Sequence, residues 1–555
     1  MFTSALWFRA SLVHRAAVLG LAAVAFWMPP STARAQTVPI SGLSLAPDGG
    51  DPDDPVTVTA CNGAPQTGRV YRNSETEPYI AVNPTDLDNM IAAWHVDRWS
   101  NGGGQALGTA YSFDGGATWT EVAIPFTRCF DGPSGTAGDF ERASDPWISF
   151  SPNGRAHYMA LAFDDSASEN GMTTAFSDDG GVTWSDPIFI TGSPAQDPFF
   201  RSIFHDKNTL TADPFDSNLV YATWTLFRNI GATSILFSRS TDGGQSWEAT
   251  RPVNNQQIAN PPGEIVDFRQ GAQIVVLPDG TLVNAFFREL LDQPNFAFSL
   301  EQAIFRSSDQ GAHWEHVDTV VNELFAAVAM DLELGVPVRD AGELPDIAVN
   351  PLSGDLYMAW QDTRFNPADL VGVVVARSTD GGFTWSDPVQ ANQVADPAVQ
   401  AFLPSVSVAD DGTVGVMFYD YRNDVVGDAV LSTDVHLARF DADLNFLDEV
   451  RMTDESFDMR QMVITGGPRI LPRRLCRPGH RGERLRGGLH GDQRPGPGRG
   501  VPADDRRCRG GQQQPPGHRL QTSACRGCGG LGAIQEGRSE VTFGRQAPGH
   551  PGARP

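Results

Sequence analysis

The sequence predicts an all-β protein, a β-propeller of six four-stranded blades. Two observations carry that expectation: an octapeptide that recurs at near-constant spacing, and a strand–turn–strand pattern interleaved with it. The octapeptide is Ser-x-Asp-x-Gly-x-x-Trp. Its copies are Ser112-Asp114-Gly116-Trp119, Ser177-Asp179-Gly181-Trp184, Ser240-Asp242-Gly244-Trp247, Ser307-Asp309-Gly311-Trp314 and Ser378-Asp380-Gly382-Trp385. Successive aspartates lie 65, 63, 67 and 71 residues apart. Each position has a physical reason. An Asp in a tight turn accepts hydrogen bonds from nearby backbone N–H groups, the Gly supplies the reversal, and the Trp buries a large ring while its N–H seeks a partner. The motif reads as a structural hairpin staple.

The second repeat is six pairs of short apolar runs. They are Tyr79–Val82 with Met90–Trp94, Trp147–Phe150 with His157–Phe163, and Leu210–Ala212 with Leu219–Trp224. Ile274–Leu277 with Leu282–Phe287, Ile347–Val349 with Leu356–Trp360, and Val406–Val408 with Val414–Tyr419 complete them. Turn residues such as Pro152-Asn153-Gly154 and Asp410-Asp411-Gly412 separate the runs, as in hairpins. Together the repeats give four strands per unit, with the octapeptide between the third and fourth. Such sheets repeated radially make a propeller. The sixth unit lacks the octapeptide, because Ser432-Thr433-Asp434 is followed by Val435 with no Gly or Trp in register. Leu290–Gln302 and Val321–Val336 are expected to form short helices on loops.

The two ends differ from this body. Arg9 and Arg15 precede the apolar stretch Ala16–Met28, and Ala33-Arg34-Ala35 has the small-x-small form of a cleavage site. Residues 1–35 therefore read as a signal peptide, with 36–76 a linker and strand, 77–469 the propeller and 470–555 a separate tail. The apolar stretch is shorter than the roughly 20 residues of a membrane span, so a secreted or periplasmic protein is expected rather than an anchored one. From Ile470 to Pro555 there is no Tyr, Trp or Lys and one Phe, while Arg, Gly and Pro dominate. A disordered basic tail is one reading. The other is a shifted reading frame: codons can be chosen for Arg469–Gly479 that, moved by one base, read GYFLGDYVGL, and Arg484–His490 can give DFVAVFT at the same offset. Those strands would begin a seventh blade.

The net charge of −26 argues against nucleic-acid binding, which needs a basic footprint. Lys207 is the sole lysine among 41 basic residues. Of six cysteines, Cys61 and Cys129 lie in the patterned body and suit one disulfide in an oxidising compartment. Cys525-x-x-Cys528 is a weak metal or redox signal, and no metal site is specified. Asp48, Asp51, Asp53 and Asp54 could hold calcium through oxygen ligands or form a solvated linker; no other cofactor motif is present. A monomer is expected.

The five octapeptides resemble the Asp-box (BNR) repeats of sialidases and sialidase-like propellers, over roughly Glu77 to Asp454. The resemblance implies a glycan-processing or glycan-binding protein of sialidase type, with a glycan or glycoconjugate as partner. A non-catalytic scaffold for protein or peptide, and a glycosidase acting on neutral polysaccharide through two carboxylates, are the alternatives. A site of sialidase type would pair three arginines with the sugar carboxylate, a Tyr activated by a carboxylate and an acid/base Asp. The Arg-Ile-Pro or Arg-Leu-Pro tripeptide of that family is absent.

Propeller geometry would place the octapeptides and first hairpin turns at one end, and the ligand face at the other. Second-strand exits there carry Asp97-Arg98, Asp164-Asp165, Arg228, Arg288-Glu289, Asp362 with Arg364, and Asp420-Tyr421-Arg422. First-strand beginnings carry Glu77, Arg142 with Asp145, Asp206-Lys207, Asp267 with Arg269, and Glu343 with Asp346. Asp97, Asp362, Asp420 and Tyr421 are the candidate catalytic groups, and Glu77, Arg98, Arg269, Arg288, Arg364 and Arg422 the candidate substrate-binding groups. Rim salt bridges between blades would use the same residues.

Overall fold

The protein is described by a computed structural model, over residues 40–41, 68, 70–165, 169–193, 203–227, 233–253, 266–292, 297–340, 342–461, 463–465 and 469–471. The chain divides after Gly479 into two units, and the second lies outside the described residues. The leader, Asp48 to Asp54, Cys61, Arg228 and the tail beyond Leu471 also lie outside them.

The described residues form successive antiparallel four-stranded sheets. β1 (Val70–Tyr71) is a short addition to the first sheet, whose strands are β2 (Tyr79–Asn83), β3 (Asp86–Trp99), β4 (Gly104–Ser112) and β5 (Thr120–Ala123). The second holds β6 (Arg142–Phe150), β7 (Ala156–Phe163), β8 (Asn170–Ser177) and β9 (Ile188–Ser193), touching the first through one pairing, Gly104 with Ala143. The third holds β10 (Phe204–Ala212), β11 (Val220–Phe227), β12 (Thr233–Ser240) and β13 (Arg251–Pro252). The fourth holds β14 (Val266–Val276), β15 (Leu282–Asp292), β16 (Ala297–Ser307) and β17 (Thr319–Glu323). A hairpin, β18 (Met330–Asp331) and β19 (Val336–Pro337), precedes the fifth sheet of β20 (Asp346–Val349), β21 (Leu356–Asp362), β22 (Gly372–Ser378) and β23 (Val389–Gln390). The sixth holds β24 (Ala401–Val408), β25 (Val414–Asp420), β26 (Ser432–Phe440) and β27 (Phe446–Arg451), with β28 (Phe457–Asp458) on β26. β29 (Val463–Thr465) pairs with β30 (Arg469–Leu471).

The strands of the second to fifth sheets are apolar on both sides because each of these sheets packs between its two neighbours in sequence. Side chains alternate across a strand, and β21 shows the consequence. Met358 and Trp360 pack on Val283 and Phe287 of the fourth sheet. Tyr357 and Ala359 pack on Val416 and Phe418 of the sixth. The same arrangement joins the first sheet to the second through Ile91 and Ile148. Met159 and Trp224 join the second to the third, and Phe237 and Phe286 the third to the fourth. Each such side chain contributes on the order of 1.5–3 kcal/mol when buried.

The octapeptides sit between third and fourth strands. In the first, Gly116 N–H donates to Ser112 Oγ (2.9 Å), which donates to Asp114 Oδ1 (2.8 Å). Asp114 also accepts from Thr118 N–H (2.8 Å) and Thr118 Oγ1 (2.6 Å). Those bonds, led by the Thr118 hydroxyl, lower the Asp114 carboxyl to about 2. Thr183, Ser246, His313 and Thr384 play the Thr118 part in the other copies, a partner the sequence motif did not include. The indole N–H of Trp119, Trp247 and Trp385 finds an acceptor, but that of Trp184 and Trp314 finds none among the described residues.

Two expectations are corrected. The regions read as short helices are strands: β15 and β16 lengthen into a long hairpin in which Leu290 faces Ser299, and Val321–Val336 contains the end of β17, β18 and the start of β19. Pairing with a neighbouring strand outweighs weak local periodicity there. In the sixth unit, Ser432-Thr433-Asp434 begins β26 instead of ending it. The octapeptide's place is taken by an Asp turn, where Asp441 Oδ1 accepts from Asp443 N–H and Asn445 N–H.

Candidate functional site

The site is built by β-bulges at the starts of the first strands. β6 slips register between Ser144 and Trp147, β10 between Asp206 and Thr209, β14 between Gln270 and Gln273, and β24 between Phe402 and Ser405. The residue inside each slip has left-handed backbone: Asp145 (φ 53°), Lys207 (φ 53°), Gly271 (φ 72°) and Leu403 (φ 53°). Glu77 (φ 52°) is its counterpart before β2, where His95 N–H donates to Thr76 O. Left-handed backbone is costly for residues other than glycine, and bulges re-aim side chains next to functional sites. The bulges of the first three sheets carry charged residues; those of the fourth and sixth carry Gly271 and Leu403.

Those charges meet. Glu77, His95 and Asp145 each bring one atom within 4.8 Å of the others. Glu77 Oε2 lies 3.0 Å from His95 Nε2 and accepts from Asp145 N–H at 3.2 Å. His95 Nδ1 faces Thr76 Oγ1 (3.0 Å) and the Arg98 guanidinium (3.3 Å). His95 Nε2, beside Glu77, also lies 3.2 Å from Ser144 Oγ and from the Asp145 backbone N–H. Asp145 Oδ2 accepts from Lys207 N–H (2.9 Å), with Lys207 Nζ at 3.9 Å.

The electrostatics separate the two carboxyls. Burial opposes the charge on Glu77, yet His95 and Lys207 hold it well below the usual carboxylate range. Burial, with the charge of Glu77, pushes Asp145 well above that range, against the pull of Lys207. Burial lowers His95 and raises Asp206. Asp145 chiefly raises Lys207, which stays protonated. Glu77 is also the more open carboxylate, its side chain 27% exposed against 8% for Asp145. Glu, His and Asp are a donor set that could hold a metal ion, although Lys207 and Arg98 already place positive charge beside it.

Of the residues singled out from sequence, Glu77 and Arg98 fall in this cluster. The other charged residues form separate ion pairs. Asp97, wholly buried, accepts from Arg72 Nη1 (2.8 Å), Asn73 N–H (2.7 Å) and Gln105 Nε2 (3.0 Å). Asp362 is held by Arg364 Nε (2.8 Å) and Trp360 Nε1 (3.1 Å). Arg422 joins Asp420 and Glu449. Arg269 meets Asp267 (2.7 Å) and Asp318 (3.4 Å), and Arg288 meets Glu301 (2.6 Å) and Asp318. Tyr421 packs against Phe402 with its hydroxyl buried and without a partner among the described residues, and burial raises it well above the ordinary phenol value. Cys129 is disulfide-bonded. Asp145, Asp206 and Lys207 stood in the wider set of strand-start charges without being singled out. His95, in mid-strand within an apolar run, carried no sequence signal.

No family model matches the chain. A xyloglucanase from Paenibacillus sp. is 28% identical over 263 residues, 46% of this chain and 23% of that protein, so the chain spans about a quarter of its curated relative. Among solved structures, a Penicillium chrysogenum α-L-arabinanase bound to arabinobiose aligns with TM-score 0.42 and 13% identity, over 62% of this chain and 88% of that one. An ulvan lyase gives 0.43 and 9% (70% and 86%), and a Hadza microbial sialidase 0.40 and 14% (66% and 70%). No helix among the described residues is long and apolar enough to cross a membrane.

Proposed function

We propose that the chain is an exported six-bladed β-propeller that hydrolyses a neutral polysaccharide, with Asp145 and Glu77 as its paired carboxyls. The observation that carries this reading is their opposite displacement within one cluster. Neighbouring groups pushed apart in acidity mark an acid and a base. Asp145, kept protonated, gives its proton to the glycosidic oxygen. Glu77, ionised and open to solvent, takes the proton of the water whose oxygen bonds to the anomeric carbon as the glycosidic bond breaks. His95 orients Glu77, and Lys207 offsets the negative charge of the cluster.

A neutral substrate is favoured over a sialoside because Arg269, Arg288, Arg364 and Arg422 already bind internal carboxylates. The partial match to a xyloglucanase points the same way. The test is reducing-sugar release from xyloglucan and arabinan by the chain and by Glu77→Gln and Asp145→Asn. Each substitution should lower kcat/KM by about 100-fold or more with the fold intact by circular dichroism. Turnover that survives both would end this assignment. Binding without turnover in the parent would favour a glycan-binding module, and silence on every glycan a protein-binding scaffold.

A further inference from the structure

The two ends of the row of sheets expose surface that the sheets between them bury. On β21, Tyr357 and Ala359 are fully buried against the next sheet. β25 runs in the same register, Val414 matching Leu356 and Asp420 matching Asp362, so its corresponding residues are Gly415 and Met417. Met417 is 39% exposed. At the other end, Ile148 and Phe150 of β6 are packed on the preceding sheet. Their counterparts on β2, Ile80 and Val82, are 50% and 43% exposed. Among the described residues, no apolar cluster joins the sixth sheet to the first.

We infer that a seventh four-stranded sheet, formed by the polypeptide's own C-terminal segment, belongs between the sixth sheet and the first. The inference rests on the radial arrangement proposed above. β30 ends at Leu471, and the sequence continues to residue 555, room for one more repeat at the 63 to 71 residues separating the octapeptides. Composition decides which segment fills the slot. The written residues after Leu471 contain a single aromatic, Phe543, a composition unlike that of the sheets flanking the slot. Codons can be chosen for Arg469–Gly479 and Arg484–His490 that, one base out of register, encode GYFLGDYVGL and then DFVAVFT. These are two apolar runs separated by turn-rich sequence, the form of the first hairpin in every other sheet. The occupant is that shifted-frame segment.

Peptide mapping of the protein from its native cell, with sequencing of the gene across codon 469, tests the frame. Shifted-frame peptides are the expected result; peptides of the written tail would overturn the inference. The slot is tested by making both the written and the frame-corrected chain, each with and without Met417→Asp and Ile80→Asp. The corrected chain should have the higher Tm and bind less of a hydrophobic dye. Both substitutions should lower its Tm while leaving that of the written chain unchanged. Equal Tm in the two chains, with both substitutions silent in the corrected one, would overturn the inference. So would a written chain that sediments as a dimer dissociated by Met417→Asp, because a second copy would then fill the slot. A gain in Tm without glycan turnover would support the seventh sheet while counting against the catalytic reading.

Discussion

Asp340 shows how one buried carboxyl couples stability to pH. Its Oδ2 accepts from Ala329 N–H (2.6 Å) and Gln361 Nε2 (2.9 Å), while Oδ1 has no partner among the described residues. Burial raises it to about 6, against about 3.9 in an unfolded chain. The folded state therefore binds more protons between those values, and stability falls as pH rises from about 4 through 6, by up to about 3 kcal/mol. Asp340→Asn keeps an acceptor and removes the charge. The variant should melt above the parent at pH 8 and with it at about pH 4; thermal scans across that range check this, and a constant difference would refute it. The same scale separates Glu77 from Asp145. Both were visible as charges near strand starts, but their opposite acidities arise from burial and from His95 and Lys207, which no spacing rule identifies.

At the scale of elements, the bulge is the device that matters. It takes a residue that alternation would send to one face of the sheet and turns it toward the neighbouring sheet. Asp145 N–H thereby reaches Glu77, and Lys207 N–H reaches Asp145. In the fourth sheet the position is Gly271, where an added Cβ would lie 2.6 Å from Leu344 Cδ2 with φ at 72°. Gly271→Ala should therefore cost about 1–2 kcal/mol from backbone strain alone, read as a lower urea midpoint with unchanged slope. A neutral result would mean that the bulge relaxes freely. The strands and octapeptide turns were legible because each depends on residues a few positions apart. Bulges were not, because an extra residue in a strand becomes visible only once its partner is known. The hairpin of β15 and β16 was missed for a related reason: pairing decided a segment whose local pattern was ambiguous.

For the whole molecule, the net charge of −26 sets how ligands approach. A neutral polysaccharide has no long-range interaction with that field, so its KM should stay constant as salt rises from about 50 to 500 mM. A polyanion should bind more weakly at low salt than at high salt. A KM for xyloglucan that moved severalfold with salt would show that charge attraction contributes to its recognition.

What the sequence by itself determined is the repeating unit: short apolar runs joined by turns, and a Ser, Asp and Gly whose bonds close within eight residues. Local chemistry suffices there, since the partners of those three residues lie on the same stretch of chain. Only the tertiary structure decided which charges share a site. Glu77, His95, Asp145 and Lys207 come from three different sheets, and their acidities follow from mutual distance and lost solvent, neither of which is written in the order of residues along the chain.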